Sequence, residues 1–329
     1  MKKVLVTGGA GFIGHHLVKE LISQGTIVYL LDDYSNNVVD PFEYFGPDQT
    51  RTVLPQMISY YDLEKDSKSP QVILINGDFA GDHVVRFIES GSVETVFHLA
   101  AKPRVEWSVE NPIKSTTENF SKVLEIAKAC SVSNTRLVFS STGAVYGNVK
   151  SLPTNENDKK SPENPYGLAK LCVEEYLSLF ENLYGLDWAA LRYFNVYGPA
   201  QPGDSPYSTV VSAWCHKAKA EEPLRSDGDG NQTRDMVHVY DVVAANLKVA
   251  SEKTLTTRVF NVGTGESVSN NEILEYFKSR GYTEVVHAPA RVGDVKHTLA
   301  DTACLKRLGW SAKIKFSDGL KEVLDYWDL

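Results

Sequence analysis

Tyr166 and Lys170 are the first residues of this chain whose types and spacing could do chemistry. They lie in the string Tyr166-Gly167-Leu168-Ala169-Lys170, within a predicted helix, and residues four apart share one helix face. A free phenol titrates near ~10, too high for a base at neutral pH, and an adjacent ammonium group lowers that value. The pair could therefore remove a proton from a hydroxyl group, although the same spacing also arises by chance on helix surfaces.

A run of hydroxyl groups is the second candidate. Ser140, Ser141 and Thr142 directly follow a strand-like segment at 137–139. Hydroxyls at the carboxyl end of a parallel strand point into the crevice where ligands of such sheets bind. The other common use of Ser and Thr at a strand end is to cap a turn.

Glycines between a predicted strand and a predicted helix form the third candidate. In Thr7-Gly8-Gly9-Ala10-Gly11-Phe12-Ile13-Gly14, Gly8 permits a tight turn, Gly11 lets the backbone approach a pyrophosphate, and Gly14 lets helix and strand pack closely. Asp32 ends the next strand, where a carboxylate can bind an adenine-ribose diol. An acid there repels the 2′-phosphate of NADP and no arginine stands beside it, so the predicted cofactor is NAD.

The elements that must position these residues alternate between strand and helix. Almost continuously apolar runs, as expected for parallel strands covered on both faces, occur at 4–6, 27–31, 72–75, 96–99, 137–139 and 189–193. Helices are predicted over 13–24, 111–130 and 165–184, the last with Asn164 as N-cap, Pro165 at its first position and an apolar stripe along it. This alternation predicts an α/β fold with a doubly wound parallel sheet of Rossmann type.

Loop-rich segments divide the chain into two predicted domains. After Tyr197-Gly198-Pro199 glycine, proline and aspartate become frequent, and apolar runs return at 236–239 and 259–262. We therefore predict a dinucleotide-binding domain over 1–198 and 237–263, and a smaller, discontinuous α/β substrate domain over 199–236 and 264–329. Residues 34–70 are predicted to form an excursion with one short helix.

Composition and charge exclude several classes of protein. The 329 residues are 42% hydrophobic and 23% charged, ordinary values for a globular protein, and no apolar run approaches the ~20 residues of a membrane helix. A net charge of −8 has the wrong sign for a nucleic-acid or anionic-membrane binder. The start of the chain lacks signal-peptide features, and the four separated cysteines fit reduced, buried thiols, so a cytoplasmic location is expected. The histidines show no metal-ligand spacing, and no metal is predicted.

Taken in order, the three motifs resemble those of the extended short-chain dehydrogenase/reductase family, and within it the nucleotide-sugar 4-epimerases. The resemblance covers nearly the whole chain. Further matching strings are Gly77-Asp78-Phe79, His98-Leu99-Ala100-Ala101, Asn119, Arg192-Tyr193-Phe194-Asn195-Val196-Tyr197-Gly198-Pro199, Arg234-Asp235-Met236-Val237-His238-Val239 and Arg291-Val292-Gly293-Asp294.

The resemblance implies a role for individual positions. Tyr166 would be the base, Lys170 would hold the nicotinamide ribose and tune Tyr166, and Thr142 would hydrogen-bond the reacting oxygen. Besides Tyr166 and Lys170, the residues implied to contact NAD are Gly8, Gly11, Phe12, Ile13, Gly14, Asp32, Asp33, Asn36, Asp78, Phe79, Leu99, Ala100, Ala101, Lys102, Asn119, Ser140, Phe194 and Val196. The residues implied to contact the nucleotide sugar are Arg104, Thr142, Asn195, Ser208, Thr209, Arg225, Asp227, Arg234, Arg291, Asp294 and Thr298.

The implied reaction is a transient oxidation at carbon 4 of the sugar, followed by return of the hydride to the other face. Related dehydratases and decarboxylases carry an additional acid or base after the hydroxyl motif, where this chain has Gly143 and Ala144, which cannot move a proton. The resemblance therefore favours an epimerase over both of these enzymes.

Two positions bear on which sugar is bound. Thr298 stands seven residues after Arg291, where some 4-epimerases restricted to unsubstituted hexoses carry tyrosine and those that admit N-acetyl sugars carry a small residue. This favours interconversion of UDP-N-acetylglucosamine and UDP-N-acetylgalactosamine, with UDP-glucose and UDP-galactose as further substrates. Arg104 would suit the carboxylate of a uronic acid, so a UDP-glucuronate 4-epimerase is the alternative.

The nucleotide base and the class of reaction stay open at the level of sequence. Ser226 and Asp227 stand where relatives often have an aromatic residue beside the uracil, which leaves the base undetermined. A net dehydrogenase or reductase, or a non-catalytic NAD-binding regulator, could use the same fold. The helices at 111–130 and 165–184 resemble those that pair across a two-fold axis in the family, so a homodimer is expected.

Overall fold

The computed structural model of the chain describes residues 1–60, 71–103, 105–149, 151–204, 208–289 and 295–329. Three predicted substrate residues, Arg104, Arg291 and Asp294, lie outside these described residues.

A parallel sheet of eight strands organises the fold. Its strands are β1 (Lys3–Thr7), β2 (Ile27–Asp32), β3 (Thr50–Thr52), β4 (Val72–Asn76), β5 (Thr95–His98), β6 (Arg136–Thr142), β7 (Trp188–Tyr193) and β12 (Val259–Val262). Their order in the sheet is β3-β4-β2-β1-β5-β6-β7-β12. Since β1 pairs in parallel with both β2 and β5, the strand order reverses beside β1, where doubly wound folds bind ligands. The predicted α/β fold is confirmed.

The apolar runs form strands because both of their faces are buried. Val4, Leu5 and Val6 of β1 have no exposed surface, and all six residues of β7 are buried. The parallel register aligns the strands so that Thr7 lies opposite Leu31 and His98. The carboxyl ends of β1, β2 and β5 therefore meet at one edge of the sheet, which is where the sequence motifs begin.

The helices follow the sequence signals. They are α1 (Phe12–Ser23), α2 (Pro41–Phe45), α3 (Asp82–Glu89), α4 (Val105–Glu110), α5 (Pro112–Thr116), α6 (Lys122–Ser133), α7 (Pro165–Tyr184), α8 (Val210–Lys219), α9 (Val239–Ser251), α10 (Asn270–Ser279), α11 (Ala303–Arg307) and α12 (Phe316–Tyr326). Asn164 caps α7 as predicted, its Oδ1 accepting the Gly167 N–H at 2.8 Å. The helix predicted over 111–130 is divided into α5, a π-helical turn at Thr117–Ser121, and α6.

The apolar stripe of α7 faces outward. Leu168, Tyr176, Leu179 and Leu183 are 51%, 41%, 45% and 59% exposed. The buried face of α7 carries Gly167, Ala169, Val173 and Leu177 together with the charged residues Lys170 and Glu174. Hydrophobic periodicity marks a helix face, and the part of the chain that the structure describes leaves this face exposed.

Contacts divide the chain into two compact units. The first comprises 1–141, 164–191 and 246–258, and the second 142–163, 192–245 and 259–329. Both units are discontinuous in sequence. The division falls at other residues than the predicted domain boundaries, and the two domain ranges stay a prediction.

The second unit has its own short strands and its own core. The strands are β8 (Asn195–Tyr197), β9 (Leu224–Asp227), β10 (Thr233–Arg234), β11 (Met236–His238), β13 (Val268–Ser269) and β14 (Val285–Ala288). They pair in twos: β11 with β8, β9 with β14, and β10 with β13. Trp214, Phe277 and Leu320 belong to a buried apolar cluster that joins α8, α10 and α12.

Three structural details differ from the sequence-based expectations or extend them. The excursion after β2 holds the expected short helix, α2, and also a 3₁₀ turn at Pro55–Tyr60 and the edge strand β3. Of the four cysteines, all free, Cys130 and Cys215 are buried but Cys172 and Cys304 are only half-buried, so the prediction of buried thiols is wrong for two of them. Among the described residues, no helix is long and apolar enough to cross a membrane.

Candidate active site

The glycine turn between β1 and α1 is shaped by close backbone contacts. Gly8 has φ +70°, and a Cβ there would lie 2.7 Å from the backbone nitrogen of Ala100. A Cβ on Gly14 would lie 2.0 Å from the carbonyl oxygen of Gly8. Gly11 is the N-cap of α1, and this helix has neither a side-chain cap nor an acidic residue in its first turn. The turn therefore presents the first N–H groups of α1, at Phe12, Ile13 and Gly14, to an anion.

Asp32 is fixed at the end of β2 by two backbone hydrogen bonds. Its Oδ2 accepts the Ala10 N–H at 3.0 Å and its Oδ1 accepts the Tyr34 N–H at 2.9 Å. Burial raises the pKa of Asp32, while these N–H groups lower it. Each oxygen keeps a lone pair for a diol. Of the neighbours predicted to contact NAD, Asp33 pairs with Lys102 at 3.5 Å, and Asn36 is exposed.

The segment after β5 is braced by Asn119 from the π-helical turn. The Asn119 Oδ1 accepts the Lys102 N–H at 2.9 Å, and its Nδ2 donates to the Lys102 carbonyl oxygen at 3.2 Å. Asn119 is buried and thereby fixes the backbone of Lys102, which directly follows the half-buried residues Leu99, Ala100 and Ala101. Its hydrogen bonds give it a positioning role that the family resemblance does not specify.

Asp78 and Phe79 follow β4. Asp78 accepts the Ala80 N–H at 3.0 Å and forms an ion pair of 2.8 Å with Lys122. The Phe79 ring lies edge-on to the His98 ring, with centroids 4.8 Å apart. Both residues therefore lie at the same sheet edge as Gly8 and Asp32.

Tyr166 and Lys170 lie in the first two turns of α7. Tyr166 is half-buried and Lys170 is 1% exposed. The Lys170 Nζ donates to the Ser140 carbonyl oxygen at 2.9 Å and lies 5.9 Å from the centroid of the Tyr166 ring. Burial lowers the pKa of Lys170 to about 7, while attraction by Glu174 raises it. The geometry brings the predicted base and its ammonium partner together, beside the strand end that carries Ser140.

Thr142 ends β6 and begins the next turn. Its Oγ1 accepts the Ala144 N–H at 3.1 Å, so its own hydroxyl proton can be donated to another oxygen. Gly143, Ala144 and Val145 form the 3₁₀ turn that follows. That turn carries no acidic or basic side chain.

A cleft in the second unit is lined by Gly143, Tyr146, Gly147, Val149, Thr154, Phe194, Val295, His297 and Thr298. At its edge, the Thr298 hydroxyl accepts the Asp235 N–H at 3.1 Å and lies 3.3 Å from the Asn195 Oδ1. Two predicted substrate residues are thus in direct contact. Phe194 and Val196 flank Asn195 and are half-buried.

The other described residues that were predicted to bind the substrate form hydrogen bonds or ion pairs with neighbouring parts of the second unit. Arg225 is 59% exposed and its Nε pairs with Asp227 at 2.7 Å, so these two neutralise each other. The Arg234 Nη1 donates to the carbonyl oxygens of Thr233 and Lys296, at 3.0 and 3.1 Å. Ser208 and Thr209 donate to Pro202 and Gln201 in the loop before α8.

A buried polar network in the second unit was not predicted from the sequence. The Arg192 Nη1 donates to the Tyr146 hydroxyl at 2.7 Å and to the Glu156 carbonyl oxygen at 3.0 Å. The Tyr146 hydroxyl donates to the Asn261 Oδ1 at 2.6 Å, and the Asn261 N–H donates to the Glu156 carboxylate at 3.0 Å. All four residues are at most 5% exposed. A single arginine inside the apolar strand β7 was the signal that could have indicated it.

Asp235 is a second unpredicted anchor. Its buried carboxylate accepts hydrogen bonds from the Thr264 N–H and hydroxyl and from the Gly265 and Ala300 N–H groups, at 2.7 to 3.0 Å. These bonds fix the backbone that follows β12 and, at Ala300, the backbone two residues after Thr298. Asp235 was part of a matching string, but no spacing rule predicts such distant donors.

The first unit has the features that NAD requires. The uncapped N-terminus of α1 suits the pyrophosphate, the tight approach of Gly8 to Ala100 leaves the turn free of side chains, and Asp32 suits the adenine ribose. The Lys170 ammonium group suits the nicotinamide ribose. The residues present therefore fit the predicted cofactor.

Comparison with known proteins agrees with the family and the cofactor that the sequence motifs predict. The model of the NAD dependent epimerase/dehydratase family matches residues 4–263. A UDP-glucose 4-epimerase of Mycolicibacterium smegmatis is 30% identical, covering 99% of this chain and 98% of its own. The crystal structure of Thermotoga maritima UDP-glucose 4-epimerase with UDP-glucose is 34% identical with a TM-score of 0.84, covering 99% and 98%. The Methanobrevibacter ruminantium UDP-N-acetylglucosamine 4-epimerase, in complex with UDP-N-acetylmuramic acid, is 31% identical with a TM-score of 0.84 and the same coverage. The chain belongs to the NAD dependent epimerase/dehydratase family, as its motifs predict, and its cofactor is NAD.

Proposed function

We propose that the protein inverts carbon 4 of a UDP-sugar through a transient 4-keto intermediate. The observation that carries the proposal is the Tyr166–Lys170 pair, in which the phenol ring lies 5.9 Å from a buried ammonium group. The UDP-sugar 4-epimerases among the similar proteins support the substrate class. Because the sugar leaves with the oxidation state it had on entry, no external reductant is consumed.

In the proposed reaction Tyr166 accepts the proton of the sugar 4-hydroxyl, and Thr142 donates a hydrogen bond to the same oxygen. The chemistry that NAD supplies when bound is reversible acceptance of the hydride from carbon 4. When the hydride returns to the opposite face of the ketone, Tyr166 gives its proton back to the oxygen. Lys170 holds the charge that lowers the basicity of the phenolate to a useful range.

For the sugar, we propose an N-acetylhexosamine, with hexoses as further substrates. Thr298 is half-buried at the edge of the cleft of the second unit, and a tyrosine in its place would fill space that a 2-acetamido group needs. The UDP-glucuronate alternative depends on Arg104, which lies outside the described residues. The fixed contact of Thr298 with Asn195 supports a role for this edge in binding the sugar nucleotide.

We also propose that the protein is a homodimer joined through α7. The exposed stripe Leu168, Tyr176, Leu179 and Leu183 continues onto the neighbouring helix α5, where Ile113 is 83% exposed. Exposed apolar residues grouped on one face are typical of an interaction surface, and a second copy of the same stripe is self-complementary about a two-fold axis.

The test is incubation with NAD and a panel of UDP-sugars, without added reductant, followed by separation of the products. The proposal expects isomers of UDP-N-acetylglucosamine and UDP-glucose, and loss of turnover in Tyr166→Phe. Thr298→Tyr should lose the N-acetyl substrate and keep the hexose, whereas Thr298→Ser should keep both. Conversion of UDP-glucuronate alone, or stoichiometric formation of NADH, would contradict the proposal.

A further inference from the structure

A buried carboxylate lies directly behind the catalytic pair. Glu174 is 3% exposed and stands one helical turn after Lys170 on α7, so Tyr166, Lys170 and Glu174 are spaced at intervals of four on one helix face. The Ser141 hydroxyl, itself 2% exposed, donates to the Glu174 Oε1 at 2.5 Å. A carboxylate is rarely buried in this way unless it is paired.

The end of β6 holds both charged groups of α7 through consecutive residues. The carbonyl oxygen of Ser140 accepts from the Lys170 Nζ at 2.9 Å, and the hydroxyl of Ser141 donates to Glu174. The backbone carbonyl accepts from the lysine amine, and the serine hydroxyl supplies a donor to the carboxylate. The strand therefore holds both side chains on adjacent turns of the helix.

We propose that Ser141 and Glu174 are a positioning pair for the reaction, in which the Glu174 carboxylate is the counter-charge that keeps the buried Lys170 amine in its ammonium form. The proposal rests on the proposed function, because it concerns the lysine that tunes the Tyr166 base. Glu174 has no contact with the reacting atoms in the proposed reaction. It acts through Lys170.

Among the described residues, the other groups around Lys170 do not provide this charge. His98 on β5 is fully buried, and burial lowers its pKa to about 3, so it is neutral at working pH. Phe139 on β6 presents its ring to the ammonium group, with 4.6 Å to the centroid. On the described parts of the helices packed against α7, Glu118 pairs with Lys122, and the exposed ionisable side chains are Glu106, Glu110, Lys114, Glu125 and Lys128.

Burial alone works against the ammonium form. It lowers the pKa of Lys170 to about 7 even though Glu174 raises it, so the lysine has little margin at neutral pH. An opposite charge near a buried group shifts its pKa by about 1–3 units. Loss of the Glu174 charge is therefore expected to leave Lys170 mostly neutral above pH 7 and Tyr166 without its cationic partner.

The test compares Glu174→Gln with Glu175→Gln. The first removes the buried charge and leaves an amide oxygen that can still accept from Ser141, and the second removes the same charge from the adjacent, exposed position. The kcat/KM of each variant is measured against pH. We expect the alkaline limb of Glu174→Gln to move to lower pH by about 1 unit, which is about a tenfold loss at pH 8. The Glu175→Gln profile should overlay the wild type.

A second readout needs neither cofactor nor turnover. In protein labelled with ¹³C,¹⁵N-lysine, the Lys170 signal is assigned by its absence in Lys170→Met and titrated in each variant. A midpoint about 1 unit lower in Glu174→Gln alone supports the proposal even if no UDP-sugar is turned over, which separates it from the proposed function. Equal midpoints, or a loss of activity that is uniform across pH, would assign Glu174 a structural role only and overturn it.

Ser141→Ala keeps the test decisive if Glu174→Gln does not fold. It removes the hydroxyl donor and leaves the carboxylate in place, with little change in volume. The Lys170 midpoint and the alkaline limb should move in the same direction, by a few tenths of a pH unit. An unchanged midpoint in a folded Ser141→Ala protein would overturn the pairing.

Discussion

Tyr146→Phe removes one oxygen atom from the buried network of the second unit. The ring and its packing are retained, so the change isolates two hydrogen bonds, one from the Arg192 guanidinium at 2.7 Å and one to the Asn261 Oδ1 at 2.6 Å. Arg192 also donates to the Glu156 carbonyl oxygen and stays in place. After the change, one charged donor and one amide acceptor have lost a partner that water cannot readily replace.

The expected loss of stability follows from the two hydrogen bonds that the substitution removes. A hydrogen bond to a charged group contributes about 1.5–3 kcal/mol and a neutral one about 1 kcal/mol. With both lost in a buried site, the free energy of unfolding should fall by about 3 kcal/mol. Because Tyr146 follows the turn that begins at Thr142, the loosened segment should also lower kcat.

Urea denaturation followed by circular dichroism measures the fall in the free energy of unfolding. Faster hydrogen exchange of the backbone amides over 142–147 would show that this segment is loosened. The control is Tyr326→Phe, whose ring is 56% exposed and whose substitution should change the free energy of unfolding by less than about 0.5 kcal/mol. A loss below about 1 kcal/mol in Tyr146→Phe, with unchanged exchange, would refute the view that this network fixes the segment.

Three further predictions concern other parts of the molecule. Gly14→Ala places a Cβ 2.0 Å from the Gly8 carbonyl oxygen, so the glycine turn must open and NAD affinity, measured by calorimetry, should fall at least tenfold; unchanged affinity would contradict the turn geometry. Burial lowers the pKa of His98 to about 3, so below about pH 6.5 this histidine binds a proton in the unfolded chain but not in the folded one. The free energy of unfolding should therefore fall as the pH falls below about 6.5, by about 1.4 kcal/mol per pH unit for this residue. Because burial lowers the pKa of His15 to about 3 as well, both histidines contribute to the slope that urea unfolding at pH 7 and 5 measures, and His98→Asn should remove only the part due to His98. Leu183→Glu in the exposed stripe of α7 should give a monomer in light scattering, whereas Val286→Glu, similarly exposed but in the second unit, should leave the dimer intact.

The sequence predicted the parts of the site that local spacing determines. Gly8, Gly11 and Gly14 are fixed relative to one another by one turn, and Tyr166 and Lys170 by one helix. Asp32 follows from the end of an apolar strand. In each case residues close together in sequence determine their own relative positions. The parallel sheet then places the ends of its strands, and with them these residues, at one edge.

The parts that were missed depend on distant residues. Ser141 and Glu174 are 33 residues apart, and Tyr146 reaches Asn261 across 115 residues, so no pattern along the chain connects them. The edge strand β3 has only three residues and is too short for a periodic signal. The stripe on α7 was visible as a periodic pattern, but periodicity does not show whether the same chain covers the face it marks.

The fate of the hydrogen on carbon 4 tests the proposed epimerisation most directly. A UDP-sugar deuterated at carbon 4 is incubated with the protein and NAD in ordinary water, and the product is analysed by mass spectrometry. If the hydride leaves carbon 4 and returns to it within one bound state, the inverted product keeps its deuterium and no free NADH accumulates. Loss of the deuterium to water, or release of a 4-keto sugar together with deuterated NADH, would contradict a transient oxidation at carbon 4.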